Sequence, residues 1–303
     1  MPVILRLARE AEVWGAARFS DPALKVELEA AGVRTFVWDM VEGSLEGLPD
    51  DFTHVLDTAL INPSMSRDFE WLVDVSCRAI ARLMTHCRRA RAFTHLSSVA
   101  VYGRLEIGHL YKETDPIWGL SSATFAPTYA AIKIASEAAV HTLAHALQLP
   151  STIARVNMQY AGGPGTSQSG ARAGVPGQYY EAIRAGRPIS VRPNGDDISS
   201  LIHIDDLVRQ APMLWDIARV PATLVNWGGD DAVSAREVAK YIGELAGLPV
   251  NFMESDGATG MIPNDPTRRQ SLIGRCEVNW RDGLARMVAE LKAAEEETKG
   301  RTP

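Results

Sequence analysis

The sequence predicts an α/β fold: a parallel sheet with helices wound on both faces, followed by a smaller carboxy-terminal lobe. Three observations carry this reading. Short β-rich runs alternate with helical runs through the first 160 residues, the order that buries a parallel sheet between helix layers. A tyrosine and a lysine four apart, Tyr129 and Lys133, lie in one long helical run that follows the apolar segment Ala92-Phe93-Thr94-His95-Leu96. After Tyr160 the texture changes to the turn-rich stretch Ala161–Gly170, with shorter, less regular elements beyond it. Residues 1–160 therefore read as an α/β domain, and 161–303 as mainly a substrate-binding lobe interleaved with it.

Taken in order, Met1 to Glu12 is expected to form an amphipathic helix, with Ile4, Leu5 and Ala8 on one side and Arg6, Arg9 and Glu10 elsewhere. Val13 to Ala17 reads as a strand, Asp21 to Ala31 as a helix stopped by Gly32, and Arg34 to Trp38 as a second strand ending at Asp39. His54 to Asp57 is a third strand, followed by the turn-formers Asn62-Pro63. A long helix from Asp68 to Arg89 leads to the strand that ends in Ser97-Ser98; the helix Phe125 to Leu147 then feeds a strand from Thr152 to Asn157. Later helices are expected near Gln178–Ala185, Ala235–Ala246 and Asp282–Ala294, with the charged end, Glu295 to Pro303, frayed.

With 303 residues and 46% hydrophobic composition, the chain has enough apolar surface for a sizeable core. A net charge of −6 with mixed surface charge argues against a nucleic-acid partner. The basic cluster Arg88-Arg89-Ala-Arg91 reads as a helix end, where the dipole favours cations. Cys77, Cys87 and Cys276 make no metal spacing, and their odd number fits a reducing cytoplasm. No run is long and apolar enough to cross a bilayer, and Arg6, Arg9 and Glu10 exclude a signal peptide, so a cytoplasmic protein is expected. His141 and His145 are four apart on a helix but lack a third ligand nearby.

Tyr129 and Lys133 share a helix face, where an ammonium can depress the phenol's pKa and make it an acid or base near neutrality. Ser97-Ser98-Val-Ala-Val-Tyr102-Gly103 ahead of them strengthens that reading. Together these motifs resemble the short-chain dehydrogenase/reductase superfamily, in its extended branch of sugar-nucleotide epimerases, dehydratases and reductases. Arg155 with Tyr160 and Gly163-Pro-Gly165 resembles that family's RxxxxYGPG segment, and Ile202-His203-Ile204-Asp205-Asp206 its HVDD element. Asn226-Trp-Gly-Gly229 and Val278–Gly283 resemble later segments, so the resemblance spans nearly the whole chain.

The resemblance implies a Rossmann-like, doubly wound parallel sheet and a Ser98-Tyr129-Lys133 triad. Tyr129 would exchange the substrate's hydroxyl proton, Lys133 would bind the nicotinamide ribose, and Ser98 would orient the substrate oxygen. Arg18, just beyond the second family strand, points to NADP rather than NAD; Asp39 and Met40 resemble the residues beside the adenine. Asp39 can also be read as a strand-terminating or helix-capping aspartate, and His203 is better read as a packed core histidine. Asp57 stands where the family often has a histidine or apolar residue. The resemblance also implies a homodimer through a four-helix bundle of Asp68–Arg89 and Phe125–Leu147.

One family feature is absent. The opening strand and its GxxGxxG loop, whose backbone N–H groups meet the pyrophosphate, have no counterpart before Gly15, Gly32, Gly43 and Gly47. The expectation is a sheet missing its first strand, with exposed strand edges that a partner chain or an upstream segment could cover. Three accounts stay open: a shortened chain, a variant that uses the pocket without a dinucleotide, or binding through the remaining contacts. The expected function is NAD(P)-dependent oxidation, reduction or epimerisation at a carbonyl/hydroxyl of a small molecule or nucleotide sugar. Alternatives are a cofactor-independent isomerase or lyase with the same Tyr/Lys pair, and a non-catalytic binding protein. Val99-Ala100 after Ser98 argues against a dehydratase, which pairs acidic residues there. Arg184, Arg187, Arg192, Arg268 and Arg269 are candidates for a diphosphate.

Overall fold

Asp21 and Gly32 bracket the first packed helix. The Asp21 carboxylate accepts the Ala23 N–H at 2.9 Å, Pro22 fills the first turn, and Gly32 takes a φ of 85°, a left-handed stop that costs glycine little. The computed structural model describes residues 2–59, 69–103, 106–117, 127–161, 173–195, 197–256 and 262–300. The expected turn at Asn62-Pro63 and nearly all of the turn-rich stretch after Tyr160 lie outside the described residues.

The first of two compact units comprises Met1–Ser97, Ala131–Ala154 and Leu207–Leu224. Its elements begin with α1 (Pro2–Leu7), β1 (Trp14–Ala17), α2 (Pro22–Ala30), β2 (Arg34–Val37) and β3 (His54–Asp57). Then come α3 (Phe69–Val73), a π-helical turn (Asp74–Arg78), α4 (Ala79–His86) and β4 (Ala92–Ser98), followed by α5 (Pro127–Leu147) and β5 (Ser151–Val156). Strands β1 and β2 pair in parallel as a sheet of their own, and β3 pairs in parallel with β4. A four-stranded sheet has the order β10–β5–β4–β3, where β10 is Thr223–Trp227. The α/β class with a parallel sheet stands as the sequence predicts, and the sheet is interrupted between β1 and β3.

Both sheets feed one apolar core. Trp14, Phe36 and Val55 pack with Ile80, Leu83, Met84, Phe93, Val140, Leu149 and Ile153; each fully buried large apolar side chain contributes about 1.5–3 kcal/mol. Leu72 and Val75 pack on Ile132 beside Met40. The long helix expected from Asp68 is continuous from Phe69 to His86 but widens at Asp74–Arg78, where the Ser76 hydroxyl donates to the Leu72 carbonyl at 2.7 Å. Helix α1 is shorter than the expected Met1–Glu12: after Leu7 the chain tightens, with Arg9 N–H on Arg6 O and Glu10 N–H on Leu7 O. So short a helix has little cooperative reserve.

The second unit comprises Ser98–Ala130, Arg155–Asp206 and Val225–Pro303. It holds β6 (Gln159–Tyr160), α6 (Gly174–Arg184), β7 (Ile189–Val191), β8 (Ile198–Ser199) and β9 (Ile202–His203). After α7 (Ile204–Gln210) and α8 (Met213–Asp216) come β11 (Val233–Ser234), α9 (Ala235–Ala246), β12 (Phe252–Glu254), α10 (Thr267–Ile273) and α11 (Trp280–Gly300). Tyr160, Tyr180, Ile183, Val238, Ile242, Leu284, Met287 and Val288 form its core. A reciprocal Ser234/Glu237 capping box starts α9 and Gly247, with a φ of 71°, ends it. Helix α11 runs past the expected Ala294 to Gly300 instead of fraying, because Leu291 packs on the core and Glu295 pairs with Arg184.

Candidate active site

Parallel sheets present their ligand sites at the carboxyl ends of their strands, and there the chain places Arg18, Asp39, Asp57 and Ser98. Strands β3 and β4 set Asp57 directly opposite His95. His95 Nδ1 lies 2.7 Å from Asp57 Oδ2, with both side chains buried, and the other Asp57 oxygen accepts the Ala59 N–H at 3.0 Å. Burial opposes the Asp57 charge, yet the bond from His95, the Ala59 N–H and the Lys133 ammonium together hold its pKa below the ordinary carboxylate value.

Helix α5 brings Lys133 into the same unit. Its ammonium is buried and donates to the Leu96 carbonyl at 2.8 Å. Burial pulls the Lys133 pKa down, and the Asp57 and Glu137 carboxylates pull it back up. Glu137, one turn further along and also buried, accepts the Ser97 hydroxyl at 2.6 Å. Ser97 is thus structurally engaged, while the Asp57 and Glu137 carboxylates both act on the lysine, a connection not legible from sequence. Their signal was present only as an acidic residue at the end of β3 and another one helical turn beyond Lys133.

In the second unit Ser98 closes β4 and caps the short 3₁₀ turn Val99–Val101, accepting the Ala100 N–H at 3.2 Å. The Ser98 hydroxyl also hydrogen-bonds the Tyr129 phenol. Burial raises the Tyr129 pKa and the Ser98 bond opposes that rise, a direction opposite to the depression expected from sequence. Tyr129 and Lys133 are one turn apart on α5. Tyr102 is a packing residue: its phenol donates to Asn226 at 2.6 Å, Arg155 lies 4.7 Å over its ring, and burial pushes its pKa up to about 12.

Arg18 is exposed at the end of β1, next to Phe19, whose φ of 50° is rare for a bulky residue. Asp39 accepts the Val41 and Glu42 N–H groups at 2.8 and 3.2 Å; these bonds, with Arg18, lower its pKa. Met40 packs on the apolar cores. Two of the diphosphate candidates are committed elsewhere. Arg269 is fully buried against Asp230 and the Gly274 carbonyl, and Arg184 pairs with Glu295. His203 is buried, accepting the Asp205 N–H at 3.2 Å, as a core histidine. Among the described residues no group of three His, Cys, Asp or Glu could hold a metal, and no helix is long and apolar enough to cross a membrane.

A dinucleotide fits these residues only in part. Its nucleoside end would meet Arg18, Asp39 and Met40. For its pyrophosphate no glycine-rich cradle is seen among the described residues, where β1 follows α1.

The chain belongs to the NAD dependent epimerase/dehydratase family, whose model matches residues 7–218. UDP-glucuronic acid 4-epimerase from Bacillus cereus, in complex with UDP-glucuronic acid and NAD, is similar over 97% of this chain and 96% of its own, with 18% identity and a TM-score of 0.75. MoeE5, in complex with UDP-glucose and NAD, is similar over 94% of this chain and 100% of its own, with 21% identity and a TM-score of 0.71. UDP-N-acetylglucosamine 4-epimerase from Methanobrevibacter ruminantium M1 is similar over 97% and 94%, with 15% identity and a TM-score of 0.77. At these identities the likeness is one of fold. Among curated proteins no match to the chain is found.

Proposed function

We propose that the chain is an oxidoreductase or epimerase acting at a hydroxyl/carbonyl carbon of a small molecule or nucleotide sugar. Tyr129 gives or takes the hydroxyl proton, Ser98 orients the substrate oxygen, and Lys133 supplies positive charge on the tyrosine's helix. The observation that carries this reading is the Ser98–Tyr129 hydrogen bond at the head of a helix that also holds Lys133. Family membership and the NAD-bound structural neighbours support a nicotinamide dinucleotide as the hydride carrier. Arg18 favours NADP over NAD, because a guanidinium pairs with a 2′-phosphate. A homodimer through α3–α4 and α5 is the assembly the family resemblance supports.

The test is a titration of the chain with NADPH and NADH by nicotinamide fluorescence. Micromolar binding, tighter for NADPH and weakened for NADPH alone by Arg18→Ala, is the expected result. No binding at millimolar cofactor removes the redox reading. That result would favour a second reading, in which Tyr129 and Lys133 serve an isomerase or lyase whose turnover ignores added nicotinamide.

A further inference from the structure

Asp57, His95, Lys133 and Glu137 are all buried in the first unit, between 2 and 5% exposed. Burying a carboxylate is costly unless it is paired, and a tyrosine–lysine pair gives no reason for two. Each carboxylate is held by its own donors: Asp57 by His95 at 2.7 Å and the Ala59 N–H at 3.0 Å, Glu137 by the Ser97 hydroxyl at 2.6 Å. The Lys133 ammonium is fixed in turn on the Leu96 carbonyl at 2.8 Å. Strands β3 and β4 and helix α5 thus build one charged cluster.

Its charges leave nothing over for Tyr129. The Asp57 and Glu137 carboxylates both act on the one ammonium. Two anions face one cation when His95 is neutral and two when it is protonated, so in neither case is there surplus positive charge. Cys77 of the π-helical turn also reaches α5, where its thiol donates to the Ala135 carbonyl at 3.9 Å. A phenolate at Tyr129, one turn before Lys133 on the same helix, would be a further anion beside a cation already matched. Like charges disfavour ionisation.

We propose that Asp57 and Glu137 are positioning residues that keep Lys133 on the sheet with its charge cancelled, so that Tyr129 serves as a proton donor to a carbonyl oxygen. The inference rests on the proton-exchange role given to Tyr129 above. It selects carbonyl compounds, whose oxygen gains negative charge as the carbon is attacked, over alcohols that must first lose a proton. The proton passes from the phenol oxygen to the substrate oxygen, and the phenolate left behind regains one from water. An acid of this kind has to be protonated before each turnover.

Carbon NMR of a chain labelled at the tyrosine ring Cζ, with the Tyr129 signal assigned from Tyr129→Phe, reads the ionisation directly. In the wild type Tyr129 should ionise above the ordinary tyrosine value of about 10. Glu137→Gln keeps an oxygen for the Ser97 hydroxyl but removes a charge, and should lower the Tyr129 midpoint by about one unit or more. Asp57→Asn should move it in the same direction. The alkaline limb of carbonyl turnover should shift down with the midpoint, which loss of a merely structural contact would not produce. The titration needs no nicotinamide, so it stands apart from the cofactor test above. A wild-type midpoint below about 8 overturns the proposal. So does a midpoint unmoved in Glu137→Gln while circular dichroism is unchanged.

Discussion

His95 Nδ1, from the middle of β4, and Asp57 Oδ2, at the carboxyl end of β3, stand 2.7 Å apart, both sealed from solvent. The pair sets the charge environment of Lys133. Asp57→Asn removes the anion and leaves His95 and the ammonium less compensated, so a loss of about 3–5 kcal/mol is expected at pH 7. The folded Asp57 pKa lies below its unfolded value. Its stabilisation is therefore full above the unfolded carboxylate pKa of about 3.9 and disappears as pH falls through the folded one. Urea unfolding of wild type and variant from pH 7 downward should show the two curves converging in acid.

Lys133 gives a pH dependence of the same sign in the alkaline range. Burial lowers the lysine's folded pKa, so between that value and the unfolded value of about 10.4 the unfolded chain binds more protons and stability rises with pH. The Lys133→Met variant should lack this rise, which is read as the difference between wild-type and Lys133→Met unfolding free energies from pH 8 to 10.5. No wild-type rise anywhere between pH 8 and 10.5 would mean that the ammonium is not buried in solution.

Tyr129→Phe removes the phenol and its bond to Ser98. A general acid/base is worth about 10²–10⁴-fold in rate, whereas one hydrogen bond is worth about 0.5–1.5 kcal/mol in stability. Turnover should collapse while the melting curve moves by a few degrees. An active Tyr129→Phe variant would show that the proton moves elsewhere.

Gly283→Ala probes the second unit. A methyl group there would stand 2.2 Å from the Tyr160 hydroxyl and 3.1 Å from His203. Both neighbours are buried, and the Tyr160 hydroxyl donates to the Trp280 carbonyl at 3.2 Å. Overpacking of this kind costs about 1–3 kcal/mol, and calorimetry should register it as a lowered melting temperature.

Local signals in the sequence located local structure well. Asp21 and Gly32 mark the ends of α2, His54–Asp57 is β3 to the residue, and Ala235–Ala246 is α9. Each rests on a cap, a stop or a run that acts within a few residues. The lysine's surroundings were not legible, because they depend on register between strands. Asp57 and His95 are 38 residues apart, and nothing within either strand states which residue of the neighbour it faces. Tyr129 was assigned a depressed pKa from its helix alone, while its burial is a tertiary property. Arg269 read as a diphosphate candidate, while packing places it against Asp230.

The π-helical turn at Asp74–Arg78 gives the long helix an unusual tolerance. An α-helix advances about 100° per residue, so deleting one residue from a regular stretch swings everything beyond it off its packing face. Here one extra residue is already absorbed in a widened turn, with Leu72 and Val75 seated on Ile132 before or within it, and Ile80, Leu83 and Met84 seated on the larger core after it. Removing a single residue from this turn would convert it to ordinary α-helix and leave both seats in phase. The segment is thus slack in the chain's length, a place where the gene can lose or gain a codon without unseating the helix.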